Sequence, residues 1–142
     1  MTELSAGEIM RRWFEEVWNR RDPGAIPRYM AADCVCHAVD ESGADLVGPE
    51  AFSGFHRRIL SSFSAPHFTL NVVIESGPLA AARWSVTMTH DGDGLGVAPT
   101  GRRLTLSGMS MLRAEGGLVH ECWDEWNRLG MATGLGLVVT PG

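Results

Sequence analysis

The first twenty residues carry apolar side chains at a helical period. These apolar positions are Met10, Trp13, Phe14 and Val17. Residues three or four positions apart lie on one side of an α-helix, so the pattern predicts an amphipathic helix over about residues 5–20. Ser5 and Glu8 have the spacing of a capping box at its start. Pro23 interrupts the pattern, and we expect a short helix over residues 25–30 to follow.

A second apolar stripe follows the tripeptide Gly48-Pro49-Glu50. It comprises Phe52, Phe55, Ile59, Leu60 and Phe63. A proline at the first helical position costs no hydrogen bond, because the amide there has no partner within the helix. The sequence therefore predicts a helix that opens at Gly48, preceded by a short strand over residues 34–39.

After Pro66 the pattern changes from helical to alternating, which is typical of strands. The predicted strands cover residues 68–75, 79–90, 103–113 and 118–126. Short turns join several of them, and Glu115-Gly116-Gly117 is a strong hairpin signal. Strands joined by short turns are antiparallel neighbours. Helices followed by strands predict an α+β fold, in which a curved antiparallel sheet carries the N-terminal helices on one face.

Length and charge narrow the classes of function. The chain has 142 residues, which is the size of one domain covering residues 1–142. Its 17 acidic and 12 basic residues give a net charge of −5, and no basic stripe follows the chain, so we expect no nucleic-acid partner. All of the basic residues are arginine. Without lysine, Schiff-base catalysis and a P-loop are both excluded.

The cysteine count and the hydropathy pattern predict the compartment. Three cysteines do not form a disulfide framework. No N-terminal apolar run resembles a signal peptide, and no apolar stretch approaches the roughly 18 residues of a membrane span. We therefore expect a cytoplasmic protein with no membrane partner.

The last predicted strand contains the most informative residues. Alternation places His120, Cys122, Asp124 and Trp126 on one face and Glu121, Trp123 and Glu125 on the other. Asp124 is thus a lone carboxylate beside a thiol and an indole. If this face lines an apolar cavity, desolvation raises the pKa of Asp124 towards the range useful for proton transfer at neutral pH. A solvated rim position or an ion pair with arginine is the alternative.

Other candidate residues give weaker signals. Cys34 and Cys36, followed by His37, match no common zinc signature, and no second cysteine or histidine pair completes them, so we expect no metal. A single histidine such as His37 is more often structural than catalytic. Trp84 and Met88 share one strand face, which becomes a pocket wall if the sheet curves around a cavity.

Several short motifs together resemble the SnoaL-like polyketide cyclases of the nuclear transport factor 2-like superfamily. They are Val17-Trp18-Asn19, Gly48-Pro49-Glu50-Ala51-Phe52, Ala82-Arg83-Trp84, Thr89-His90, Pro99-Thr100-Gly101-Arg102-Arg103, Trp123-Asp124 and Leu129-Gly130. In this order they extend over nearly the whole chain. The resemblance implies a cone-shaped half-barrel with an apolar pocket between sheet and helices, and a homodimer joined through the sheet.

The resemblance also implies a chemistry. Characterised cyclases of this family close a ring of a polyketide methyl ester by intramolecular aldol condensation. They use no cofactor or metal, because the conjugated carbonyls of the substrate delocalise the enolate. Asp124 matches the family's acid/base aspartate on the last strand. The family's pocket histidine falls on Ser110 here, and His37 would supply the missing imidazole.

These observations lead to two hypotheses. The first is an enzyme that acts on a hydrophobic, carbonyl-rich small molecule by aldol ring closure or by the related isomerisation, with Asp124 and His37 catalytic. The expected substrate-binding residues are Phe14, Trp84, Met88, Ser110, Cys122 and Trp126. The second is a non-catalytic ligand carrier or scaffold. In either case the outer face around Met109, Met111 and Trp123 is apolar enough to favour a homodimer.

Overall fold

A computed structural model describes residues 3–138 of the chain. Its helices are α1 (Ala6–Arg12), a π-helical segment (Trp13–Asn19), α2 (Ala25–Tyr29), α3 (Gly48–Ser62) and α4 (Arg128–Gly134). Its strands are β1 (Met30–His37), β2 (Leu46–Val47), β3 (Phe63–Ser76), β4 (Leu79–His90), β5 (Arg103–Glu115) and β6 (Leu118–Trp126). No helix within residues 3–138 has the length and apolarity needed to cross a membrane.

The six strands form one curved, open sheet in the order β2-β1-β6-β5-β4-β3. The expected α+β fold is confirmed, and β3 to β6 are antiparallel neighbours as predicted. The pairing of β1 with β6 is parallel, and four strands, β2 to β5, lie between the two along the chain. Register shifts between Ser64 and His67 and between Leu70 and Val72 mark bulges in β3. Such bulges bend and twist a strand, which helps the sheet to curve.

The first helix has the predicted length but changes its hydrogen-bonding pattern halfway. Ser5 caps it as expected, with the Glu8 amide donating to Ser5 Oγ at 3.1 Å. From Trp13 the helix continues as the π-helical segment, a form that is uncommon and occurs often at functional sites. Asn19 ties its end to the sheet, since its side chain exchanges hydrogen bonds of 2.8 and 2.9 Å with the backbone of Phe68.

Helix α3 packs its apolar stripe against the concave side of the sheet. Phe52, Phe55 and Ile59 are buried, as the helical period predicts. Phe63 is also buried, but it begins β3 instead of ending the helix. The strand therefore starts five residues before the predicted position at residue 68, with Pro66 inside it.

Two short elements were not predicted. β2 has only two residues and α4 only seven, two of them glycine, so neither is long enough to show a period. Asn127 caps α4 by accepting a hydrogen bond from the Gly130 amide at 2.8 Å. Met131 of this helix is buried in the hydrophobic core, so α4 covers one end of the fold.

Candidate active site

A deep apolar cavity lies between the concave face of the sheet and the helices. Its volume is about 890 Å³ including its open mouth, and its wall is mostly apolar, as is typical of small-molecule sites. Much of its wall is aromatic or sulfur-containing, and includes Trp13, Trp18, Phe52, Phe55, Phe68 and Met131. The helical period predicts Trp13, Phe52 and Phe55 to be core, because a buried stripe and a cavity wall have the same period.

All but one of the site residues expected from the sequence line this cavity. They are Phe14, Trp84, Met88, Ser110, Cys122, Asp124 and Trp126. Strand alternation explains the convergence, since β4, β5 and β6 each turn every second side chain towards the concave face. The register sets Ser110 of β5 directly opposite Asp124 of β6, and Ala82 beside Ser110 on β4. The polar groups of the cavity are therefore concentrated on two adjacent strands.

Asp124 is the one carboxylate among the described residues of the cavity wall. Burial raises the pKa of Asp124 from 3.8 to about 6, against the opposing effects of hydrogen bonding from Ser110 and of the positive charge of Arg128. Desolvation disfavours the ionised form of a carboxyl, which is why the shift is upward. A carboxyl with this pKa is largely ionised at neutral pH, yet it is basic enough to take a proton from carbon and return it.

Ser110 is held in place by a tryptophan. The indole Nε1 of Trp84 donates a hydrogen bond of 2.9 Å to Ser110 Oγ. Because this contact occupies an acceptor position of the hydroxyl, its proton is free to point to Asp124. Through its hydroxyl, Ser110 lowers the pKa of Asp124.

Two of the tryptophans of the wall, Trp84 and Trp126, need a glycine between them. At Gly108, an added Cβ would lie 2.5 Å from Trp84 Cζ2 and 2.7 Å from Trp126 Cβ. Both distances are well inside van der Waals contact. Gly108 therefore allows both indole side chains to approach β5 closely and define the shape of the cavity.

Arg128 and Trp126 fix the segment that follows β1. Trp126 Nε1 donates to the carbonyl oxygen of Val39 at 3.0 Å, and the guanidinium of Arg128 lies 5.0 Å from the centre of the Trp126 ring. Arg128 also donates to the carbonyl oxygens of Ala38 and Asp40. Its donors thus face the backbone, while its charge still lowers the pKa of Asp124.

His37 does not line the cavity, which corrects the expectation that it lies inside. It is on the convex face of the sheet, where its ring stacks on Trp123 with centroids 5.7 Å apart. Its Nε2 is 2.7 Å from Glu121 and its Nδ1 is 2.9 Å from Asp45. These carboxylates raise its pKa, Glu121 having the larger effect. The alternation of β1 explains the placement, since Cys34 and Cys36 take the concave side and His37 the other.

The three cysteines form a cluster that the sequence spacing does not show. Cys122 lies opposite Cys36 in the parallel register of β1 and β6, and the three sulfurs of Cys34, Cys36 and Cys122 lie within 4.8 Å of one another. Cys122 therefore adds one further cysteine to the Cys34-Cys36 pair, which the sequence spacing does not indicate, and the expectation that no metal is bound stays a prediction. Hydrogen bonds with Cys34 and Cys36, together with burial, raise the pKa of Cys122.

Comparison with known proteins places these features in a family. A sequence model described as SnoaL-like polyketide cyclase matches residues 8–135. No curated protein matches the chain significantly.

Among solved structures, AclR from Streptomyces galilaeus, provisionally named a hydroxylase, is 25% identical, with a TM-score of 0.80 over 96% of this chain and 89% of its own. IdmH from Streptomyces antibioticus, provisionally named a polyketide cyclase, is 24% identical, with a TM-score of 0.78 over 94% of this chain and 99% of its own. A provisionally named SnoaL-like polyketide cyclase from a Jannaschia species is 19% identical, with a TM-score of 0.82 over 98% of this chain and 100% of its own. The last two likenesses concern the fold.

Proposed function

Since the chain belongs to the SnoaL-like polyketide cyclase family, we propose that it is an acid/base enzyme that closes a ring in a hydrophobic, carbonyl-rich small molecule. The observation that carries the proposal is the placement of Asp124, a lone carboxylate in the wall of an apolar cavity. Such a group is suited to remove a proton from carbon next to a carbonyl. An aromatic polyketide methyl ester combines the apolar surface and the acidic C–H bonds that this cavity requires.

The reaction follows from the properties of one carboxylate. Ionised Asp124 takes the proton α to a carbonyl, and the resulting enolate carbon attacks a second carbonyl of the same molecule. The protonated Asp124 then returns its proton to the new alkoxide, which completes an aldol addition without a net change in atoms. Aromatic side chains such as Phe14 and Trp84 hold the substrate in a folded conformation, so that its two reacting carbons meet within the cavity.

Ser110 has a different role in this proposal from the family's pocket histidine. Its hydroxyl accepts from Trp84 and stabilises the carboxylate of Asp124, so it positions the base. None of the described residues of the cavity wall is a histidine, lysine or arginine. The enolate charge is then carried by the substrate's own conjugated carbonyls, and the proposal includes no cofactor.

We further propose that the protein is a homodimer joined through the convex face. Val72, Ile74 and Met109 are more than half exposed there, and the register places Met109 and Met111 beside Arg83 and Ala81 of β4. Trp123 continues this surface on β6. Large apolar side chains exposed on one face of a sheet are typical of an interface. Light scattering that finds a stable monomer at micromolar concentration would contradict the dimer.

Incubation with an aromatic polyketide methyl ester tests the catalytic proposal. We expect a cyclised product, detected by mass spectrometry and by loss of the open-chain carbonyl signals in NMR. Saturable binding without product would instead support a ligand carrier of the same fold. An isomer with a shifted double bond and no new ring would show that the same base serves isomerisation.

A further inference from the structure

The three cysteines converge without forming a disulfide. Cys34 and Cys36 are fully buried, and their sulfurs are 3.9 Å apart. Cys122 approaches from β6, so that all three sulfurs lie within 4.8 Å of one another. Three sulfurs at about 2.3 Å from a common centre, the length of a zinc–sulfur bond, lie about 4 Å apart in a trigonal plane and somewhat closer when the centre is pyramidal. The strands therefore hold three soft donors close to the spacing that one three-coordinate atom requires.

One edge of the cluster borders the cavity. Cys122 lines the cavity wall beside Asp124 and Val119, while Cys34 and Cys36 lie behind it on β1. A small molecule in the cavity would thus meet the Cys122 thiol first, and the two fully buried thiols lie next to it.

The surroundings of the cluster favour a bound atom that, together with the three sulfurs, carries no net charge. Two carboxylates, Asp33 and Asp124, and one imidazole, His120, are the charged or titratable neighbours of the sulfurs. Three thiolates around a divalent cation carry a net negative charge. Around a monovalent cation this negative charge is larger. Burying such a charge among apolar groups and carboxylates is costly. Three thiolates on a trivalent centre carry no net charge.

We propose that Cys34, Cys36 and Cys122 form a binding site for a trivalent, thiophilic arsenic species of the arsenite class. In the binding reaction, each of the three As–O bonds of arsenous acid is replaced by an As–S bond. Each thiol proton leaves with a hydroxyl group, so three molecules of water are released and no electrons are transferred. The site is independent of the proposed ring closure, because it uses none of the proton chemistry of Asp124.

Titration of the native chain with arsenite, after reduction with a phosphine, tests this site. We expect one arsenic atom per chain, with a mass increase of one arsenic atom less three hydrogens in native mass spectrometry. Cys34→Ala and Cys36→Ala should each weaken arsenite binding by about a hundredfold or more, the scale on which one further tethered ligand raises affinity. His120→Gln is the matched control, since it lies beside the cluster and contributes no sulfur, and it should bind as the wild type does.

Phenylarsonous acid separates loss of a ligand from loss of the fold. It has two exchangeable hydroxyl groups and needs only two thiols, so Cys34→Ala should still bind it through Cys36 and Cys122. Arsenite affinity that is unchanged in Cys34→Ala and Cys36→Ala would overturn the proposal, as would a wild-type adduct that retains free thiols. Tighter binding of cadmium than of arsenite would overturn the proposal that the site prefers a trivalent centre because the bound cluster is then neutral.

Discussion

Each face of β6 carries a carboxylate, but one lies near solvent among charged groups and the other lies in an apolar cavity. On the convex face, Glu121 lies 2.7 Å from His37 and 3.9 Å from Arg113, in a half-exposed network that also includes Asp45. On the concave face, three residues along the same strand, Asp124 shares an apolar cavity with indole, thioether and phenyl groups. Ion pairs near water are worth little energy, whereas a desolvated carboxyl is shifted strongly in its pKa.

This difference identifies where chemistry can occur. The convex network has more titratable groups, but their charges compensate one another and solvent screens them. The concave face has a single carboxylate, and its pKa of about 6 results first from burial. Groups with a shifted pKa in a concave apolar site are candidates for function. The concave face is therefore the better candidate for catalysis.

Asp124→Asn should produce the largest effect on activity. Asparagine has the same shape but cannot take a proton at neutral pH, so kcat should fall by about 10²–10⁴-fold, the usual contribution of general acid–base catalysis. KM should change little if Asp124 acts mainly in the transition state. The neighbouring convex residue provides the control, and Glu125→Gln should keep wild-type turnover. Near-wild-type kcat in Asp124→Asn would exclude Asp124 as the acid/base.

Thermal melting of the same variant distinguishes a catalytic carboxylate from a structural one. The pKa of Asp124 is higher in the folded chain than its ordinary 3.8, so ionisation opposes folding and stability declines as pH rises from about 4 to about 6. Asp124→Asn removes this cost. It should therefore stabilise the fold at about pH 8 by about 1–3 kcal/mol. A structural acceptor would instead lose stability on substitution.

Gly108→Ala should have the next largest effect, because the concave face has no room for it. Its Cβ would meet Trp84 Cζ2 at 2.5 Å and the backbone oxygen of Glu125 at 2.9 Å. Overpacking of this kind costs about 1–3 kcal/mol. Gly54→Ala is the matched control in α3, where the closest atom to a Cβ is Arg58 Nη1 at 3.8 Å, and it should stabilise the chain by up to about 1 kcal/mol. Equal melting temperatures in the two variants would contradict this account.

Ser110→Ala should change the pH dependence of activity. The hydroxyl lowers the pKa of Asp124, so its removal should move the acidic limb of the kcat/KM profile to higher pH. It also leaves the buried Trp84 indole without its acceptor, at a cost of about 1–3 kcal/mol. Ser110→Thr keeps a hydroxyl and should restore the profile. A loss of stability with an unmoved profile would assign Ser110 a structural role only.

Much of the fold and part of the site could be predicted from local patterns. The helix cap at Ser5 and the alternation of β4 are local features. They depend only on residues close together in the chain, so the sequence alone predicts them. Asp124 was assigned to the face of Cys122 and Trp126 by parity alone, and the cavity wall confirms this grouping.

The remaining features depend on contacts between distant residues. The parallel pairing of β1 with β6 places Cys122 beside Cys36 and sets which face of β1 is concave. No local pattern indicates this pairing, so the cysteine cluster was missed and His37 was assigned to the wrong side. The change to a π-helix at Trp13 likewise has no period of its own in so short a segment.

His37→Gln should have the smallest effect, and it completes the comparison of the two faces. The bonds to Glu121 and Asp45 raise the pKa of His37 above its usual 6.5. The stabilisation from the imidazolium is therefore fully present below about pH 6.5 and is lost as pH rises through the raised pKa. Because the network is near solvent, His37→Gln should cost less than about 1 kcal/mol at about pH 6. It should also flatten the dependence of the melting temperature on pH above that value, and leave kcat unchanged. A large fall in kcat with an unchanged melting curve would show that the convex face contributes to catalysis after all.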